Sequence, residues 1–256
     1  MSEFTFVRLR EQYDVARLTL ARPPLNILTI DMMVEVNAAL ARAAKNPALK
    51  VLVIDGEGRA FSAGVAVEDH VGDRVKPMLE TFHQIFRGLR GLECVTVAAV
   101  QGAALGGGAE LATFCDLVVA SETATFGQPE VRVGVLPPIA AIHYPTRVGV
   151  ARTLRLLLSG EVIGAAEAER IGLIDRVVAA DRFAEAVDAE VERFRAQSAV
   201  VLRLGKRAVR ESLGLGFDQA LATLEELYQY ELMTTEDAAE GLRAFVEKRK
   251  PVWKDR

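Results

Sequence analysis

Three runs of the chain, "VLVIDG" (Val51 to Gly56), "VTVAAVQG" (Val95 to Gly102) and "DLVVAS" (Asp116 to Ser121), are apolar at nearly every position instead of every second one. Successive side chains of a strand point to opposite faces, so a strand without alternation has to be covered on both. A sheet of such strands cannot turn a face to water, and the chain must supply layers to either side of it. Apolar residues at helical spacing fill the intervals. One such helix is predicted from Ile30 to about Lys45, and another runs to about Arg90, with Val75, Leu79, Phe82, Ile85, Phe86 and Leu89 on one stripe. A third opens at a glycine run and continues through about Phe114. At the N-terminus "FTFVRL" and "VARLTLA" alternate around the polar "REQYD", which predicts a β-hairpin that "PPLNILT" brings to an end. The order β-α-β-β-α therefore recurs as far as Ser121, and the fold class is α/β. "GEGRAFSAGVAVEDH" and "ATFGQPEVRVGVLPP" read as loops.

The last third is different in kind. Helical segments at about Asp181 to Ala196, Ala199 to Leu213 and Asp218 to Arg249, the last interrupted near Thr234, are richer in charge and form a helical appendage. A helix stack at this position has little else to cover, so several of its apolar faces are expected to meet other chains. No low-complexity linker separates it from the rest, which argues against independent motion.

Charge and composition exclude several functions. With 31 basic against 35 acidic residues among 256, a formal net charge of -4 offers no attraction for nucleic acid or an acidic membrane surface. The N-terminal stretch lacks a signal-peptide pattern, and no uncharged apolar run approaches the ~20 residues of a membrane span. Cys94 and Cys115 lie in apolar segments and read as buried reduced thiols, which fits the cytoplasm. His70, His83 and His143 are far apart and no C-x-x-C occurs, so no metal site is expected.

Chemistry concentrates in "GAALGGGAELATFCD". Gly106, Gly107 and Gly108 let the backbone take unusual conformations and come close to a ligand, and the helix they open has unpaired N–H groups in its first turn. Those donors suit an anion or a developing oxyanion, although tight packing of helix on strand would ask for the same glycines. Glu110, in that first turn, is favoured there by the helix dipole alone. Its neighbours Leu105, Ala109, Leu111 and Ala112 are apolar, and a dry setting would raise its pKa and make it a usable proton carrier. Twenty residues on, Glu130 follows Pro129 between Gly127 and Gly134, as a constrained acid or as an ordinary loop acid. Two carboxylates facing one space would push each other's proton affinities apart, leaving one as acid and one as base. In "RAFSAGVAVED" an Ala-Gly step frees the N–H of Val65, which with that of Gly107 would make a two-donor oxyanion hole.

The segments "AFSAGV", "GAALGGGAELATFCDLVVAS", "FGQPEVRVGVLP" and "AFVEKRKPVWK" together resemble the enoyl-CoA hydratase/isomerase (crotonase) superfamily over essentially the whole chain. The resemblance implies a crotonase-like spiral of ββα units over residues 1–195 and a C-terminal helical region over 196–256 that covers coenzyme A and builds a trimer or a dimer of trimers. It implies an acyl-CoA hydratase with no cofactor beyond the coenzyme A of its substrate. Val65 and Gly107 would supply the oxyanion hole, and Glu110 and Glu130 would hold a water between them. Ala63 would lie beside the adenine, and Phe245 and Lys248 would approach coenzyme A from a neighbouring subunit, unless Lys248 is simply a solvated charge.

Two departures bear on the substrate. Ala66 stands where the family commonly has an aspartate, which takes a polar anchor from the first loop. Pro137, Pro138, Ile139, Ala140 and Ala141 replace the usual P-G-x-G-G, which implies a stiffer wall beside the acyl pocket. With these features the chain looks most like the alicyclic dienoyl-CoA hydratases of anaerobic aromatic degradation, which hydrate cyclohexa-1,5-diene-1-carbonyl-CoA. A straight-chain enoyl-CoA hydratase, an enoyl-CoA isomerase and a non-catalytic RNA-binding or scaffold member of the fold are the competing readings. A dinucleotide-binding dehydrogenase is excluded, since "GAALGGGAE" does not present G-x-G-x-x-G.

Overall fold

In β3 (Val51–Gly56) alternate residues go to different cores, as its unbroken apolar sequence requires. In the computed structural model, which describes residues 4–256, Leu52 and Ile54 join the main core while Val51 and Val53 pack in a second one. β5 (Val95–Val100) divides in the same way, with Ala98 and Val100 on one side and Val95, Val97 and Ala99 on the other.

These strands belong to a six-stranded sheet in the order β1-β2-β3-β5-β7-β10. β1 (Val7–Gln12) and β2 (Val15–Leu20) are its antiparallel hairpin, and β7 (Leu117–Ser121) and β10 (Arg176–Val178) continue the parallel part. The first strand runs on through Arg10, Glu11 and Gln12, so the hairpin turn is only Tyr13–Asp14, shorter than the polar segment suggested. As an edge strand, β1 can carry polar side chains on its exposed positions.

One face of the sheet is covered by α1 (Ile30–Ala43), α2 (Val75–Gly91) and α3 (Gly107–Phe114), each close to its expected span. α1 starts where the Thr29 hydroxyl accepts from the Met32 N–H. The other face is covered by α7 (Phe183–Arg195), whose Val187 and Val191 meet Val51, Val53, Val95, Val97, Ala99 and Val119. Among the described residues no helix is long and apolar enough to cross a membrane.

A second sheet takes in two segments that the sequence reads as loops, at residues 60–62 and 125–127. β4 (Ala60–Ser62), β6 (Ala103–Leu105), β8 (Thr125–Gly127) and β9 (Val162–Gly164) form it in that order, the first three parallel. Strands of three residues are too short for a period to register. Together with the first sheet they give repeated strand-strand-helix units, in which each short strand delivers the chain to the start of a loop or helix.

Between the two glutamate-bearing segments and the appendage lie α4 (Pro138–Val148), α5 (Val150–Ser159) and α6 (Ala165–Arg170). The appendage is α8 (Ala199–Ser212), α9 (Phe217–Glu226) and α10 (Glu236–Val246), without the segment from Asp181 that the sequence grouped with them, since Val187 and Val191 of α7 pack into the sheet instead; the break before α10 is marked by Thr235, which caps it. α8 is fastened to the first sheet by Lys206 and Arg210, both paired with Asp116, whose carboxylate also accepts from the N–H and hydroxyl of Thr96. Residues 253–256 close the structure. Trp253 donates its indole N–H to the Ala196 carbonyl, and Asp255 pairs with the buried Lys50 at 3.0 Å.

Candidate active site

Asn26 sets the first loop. Buried and at φ 49°, it donates its side-chain amide to the carbonyls of Glu57, Ala60 and Phe61, while its own carbonyl accepts from Ser62 Oγ. The Ser62 hydroxyl in turn accepts from the Gly64 N–H at 3.2 Å. Leu28 then pairs across: its N–H donates to Gly64 O and its carbonyl accepts from Ala66 N. The N–H of Val65, between these two, is left pointing the other way.

Three residues past Ala66 a buried acid ties this loop to α1. Asp69, buried, accepts from the Ile30 N–H at the start of α1 at 3.0 Å and from Arg74 at 2.7 Å.

The three consecutive glycines serve three separate contacts. Gly106 has φ +52°, and a side chain on it would come within 2.6 Å of Glu130 Oε1. At Gly107 a Cβ would meet Val65 Cγ2 at 2.8 Å and Phe82 at 2.9 Å, while one on Gly108 would collide with Ser62. Close packing therefore constrains all three positions of this run. Among the described residues neither the Val65 nor the Gly107 N–H has a protein acceptor, and a Cβ on Gly64 would lie 3.6 Å from Gly107 N. The two donors are thus neighbours.

Glu110 is only 2% exposed. It does not cap its own helix. Its Oε1 accepts from the Ala140 N–H at 2.7 Å, so it sits against the N-terminal turn of α4, which begins at Pro138. Proline fixes the backbone of that first turn at no hydrogen-bonding loss, and so holds the donors ready. Burial pushes Glu110 up to about 8, the Ala140 and Ile139 N–H groups pull it back, and the negative charge of Glu130 raises it further.

Glu130 lies in the helical turn Pro129–Val133 and is half-buried. Burial raises it to about 7. Beside it is Gln128, fully buried. With both ends of its amide satisfied, the nitrogen lies 3.2 Å from each Glu130 oxygen and the oxygen accepts from Tyr144 Oη at 2.7 Å. Gln128 and Tyr144 were not singled out by sequence. The available signal was a polar side chain, Gln128, between the short apolar strand "TFG" and the Pro-Glu step.

Rings join the three helices around this space. Phe86 of α2 meets Phe114 of α3 edge-on at 5.1 Å, and Phe114 meets His143 of α4 at 5.2 Å. Ala63, next to the first loop, is half-buried, its N–H bonded to Leu25 O. Phe245 and Lys248 stand elsewhere, at the exposed end of α10, which packs on α8 and on the turn before it. Within one chain the structure thus brings Val65, Gly107, Glu110 and Glu130 together and leaves Phe245 and Lys248 apart from them. Among the described residues no group of His, Cys, Asp and Glu is arranged to hold a metal ion.

The family model for enoyl-CoA hydratase/isomerase matches residues 10–256. The chain belongs to that family. It is 41% identical over 250 residues to the cyclohexa-1,5-dienecarbonyl-CoA hydratase of Thauera aromatica, covering 98% of this chain and 96% of that one. It is also 41% identical to a probable enoyl-CoA hydratase of Rhizobium meliloti, over 96% of each. The crystal structure of an enoyl-CoA hydratase subunit from Geobacillus kaustophilus superposes over the full length of both chains with a TM-score of 0.93 at 35% identity. The fold is accordingly that of the crotonase-type hydratases, and the chain is an enzyme of the hydro-lyase type.

Proposed function

We propose that the protein adds water to the conjugated double bond of an acyl-CoA thioester, with Glu110 and Glu130 as the acid–base pair. The observation that carries this reading is the pair of glutamates with raised proton affinity, within electrostatic reach of each other and beside two neighbouring N–H donors with no acceptor. Between them the two carboxyls hold a water. One takes its proton as oxygen attacks, and the other delivers a proton to the carbon next to the carbonyl. The intermediate is an enolate with its charge on the thioester oxygen, where the N–H groups of Val65 and Gly107 act, each worth roughly 3 kcal/mol. Hydration uses both acids, whereas moving a double bond can be managed with one, and this favours hydratase over isomerase.

For the acyl group we propose a cyclic dienoyl, cyclohexa-1,5-diene-1-carbonyl, as in aromatic degradation. Support comes from the likeness to the cyclohexa-1,5-dienecarbonyl-CoA hydratase of Thauera aromatica and from the wall of Pro137, Pro138 and Ile139, which stands where the family commonly has a glycine-rich segment. Coenzyme A would run past Ala63. Phe245, 85% exposed, and Lys248 would reach it from an adjoining subunit of a trimer or a dimer of trimers. Exposed Phe217, Tyr230 and Leu242 are further apolar surface that such an assembly would cover.

The test is a panel of acyl-CoA thioesters followed by loss of the conjugated-thioester absorbance. Brisk turnover of the cyclic dienoyl substrate, with straight-chain crotonyl-CoA much slower, is the expected result. Brisk hydration of crotonyl-CoA with the cyclic dienoyl thioester untouched overturns the alicyclic assignment. No hydration of any member overturns the activity, and sedimentation of the purified protein reads the assembly.

A further inference from the structure

A buried tyrosine hydroxyl needs a partner that an equally large phenylalanine would not, so its presence in a core marks a use for the oxygen. Tyr144 of α4 is the largest of the fully buried side chains, and its hydroxyl lies 2.7 Å from the Gln128 carboxamide. Gln128, itself fully buried, is followed two residues later by Glu130.

An amide has one acceptor end and one donor end, and only one orientation of Gln128 satisfies both. With its oxygen toward Tyr144 Oη, its nitrogen is 3.2 Å from Glu130 Oε1 and 3.2 Å from Oε2. Turned the other way, the amide would set its own oxygen against the carboxylate. The phenol can meet either end of the amide; it is the Glu130 carboxylate, which only accepts, that turns the amide nitrogen toward itself, and the Tyr144 hydroxyl then donates to the amide oxygen and holds it there. We infer that Tyr144 is a positioning residue, whose hydroxyl holds the Gln128 amide so that its N–H group stabilises the ionised form of Glu130. This rests on the acid–base assignment of Glu130 given above only where it concerns turnover.

The groups that face the Tyr144 hydroxyl are Thr113 of α3, Gln128, and the carboxyls of Glu110 and Glu130. Burial, with the two negative charges, holds the phenol well above its ordinary value, so it remains a donor throughout the range in which the glutamates titrate. The relay spans two elements: α4 begins at the N–H groups that hold Glu110 and reaches, one and a half turns later, the hydroxyl that orders Glu130. One helix thus sets the surroundings of both acids.

The experiment uses Tyr144→Phe, which keeps the ring and removes only the hydroxyl. The Glu130 carboxyl band is followed through a pH titration of the substrate-free protein by infrared difference spectroscopy, with Glu130→Gln identifying the band. Loss of the ordered N–H donor should raise the Glu130 midpoint by about half a unit or more. Turnover should fall roughly 10- to 100-fold with KM changed by less than about twofold. Gln128→Met should do the same, and adding Tyr144→Phe to it should cost nothing further, because the hydroxyl acts through the amide. An unmoved midpoint in Tyr144→Phe, or full additivity of the two substitutions, overturns the proposal. A raised midpoint in a variant of unchanged turnover upholds the positioning role and instead removes Glu130 from the chemistry. Gln128→Met approaches the same contact from the other side should Tyr144→Phe fail to fold.

Discussion

Glu110 and Glu130 are both held protonated beyond the ordinary carboxylate range by burial, yet they are held in place by different means. Glu110 is closed into the core and bonded to the backbone at the start of a helix, a donor that no side-chain substitution removes. Glu130 is half-buried in a short turn and depends on a side-chain amide, which depends in turn on a phenol. The first arrangement is rigid and the second adjustable. A site that must separate the proton affinities of two like groups does so here by giving them unlike neighbours.

The largest expected effect of breaking this contrast is on turnover. Glu110→Ala should reduce kcat by about 10³-fold or more, and Glu130→Gln by about 10²-fold, at the scale of a lost general acid or base. Full hydratase activity in Glu110→Ala, measured by loss of conjugated-thioester absorbance, would contradict the role given to that residue. Next comes Gly106→Ala. It places a methyl within 2.6 Å of Glu130 Oε1 at a backbone φ of +52° and should cost roughly 10- to 100-fold in kcat, with the Glu110 environment untouched.

The pH profile sharpens the comparison without any substitution. Below about 7 both carboxyls are protonated and no base is present, and above about 8 both are charged and no acid remains. kcat/KM should therefore be bell-shaped with its maximum between these values, the two limbs belonging to the pair. Stability should respond in the opposite sense to that of an ordinary salt-bridged acid. Because the folded chain binds these protons more tightly than the unfolded one, stability is highest below about 4.5 and is lost as pH rises toward about 8. Glu110→Gln should melt close to the wild type at pH 5 and above it at pH 9. A smaller effect is expected at the far end of the molecule: Phe245→Ala should change the stability of the chain's own fold by less than about 0.5 kcal/mol, read by denaturant titration, since its ring packs on almost nothing within the chain.

What was legible in the sequence follows the same division. The unbroken apolar strands announced two covered faces, and both were found, with Leu52 and Ile54 on one and Val51 and Val53 on the other. Helix spans followed their stripes closely because burial of a whole face enforces them. The second sheet stayed hidden because its strands have three residues, fewer than a period needs to declare itself. In the site, Glu110 and Glu130 stood out as acids among apolar neighbours, and the glycines as a run. Asn26, Asp69 and Gln128 did not, since each acts on a partner distant in the chain, and Tyr144 was indistinguishable from core filling.

The covering of the first sheet by α7 carries a consequence for the order in which the chain can become a protein. Val51, Val53, Val95 and Val97 await Val187 and Val191, between about 90 and 140 residues downstream. A ribosome that has finished the fourth strand of that sheet has exposed a flat aliphatic surface with nothing yet made to lie on it. During that interval the nascent chain resembles an aggregation-prone strand assembly more than its own native state, and it invites a holding chaperone. Synthesis slowed between Ser121 and Phe183 would lengthen that exposure, so soluble yield should depend on the speed of translation through a segment that contains Glu130 and the whole of α4.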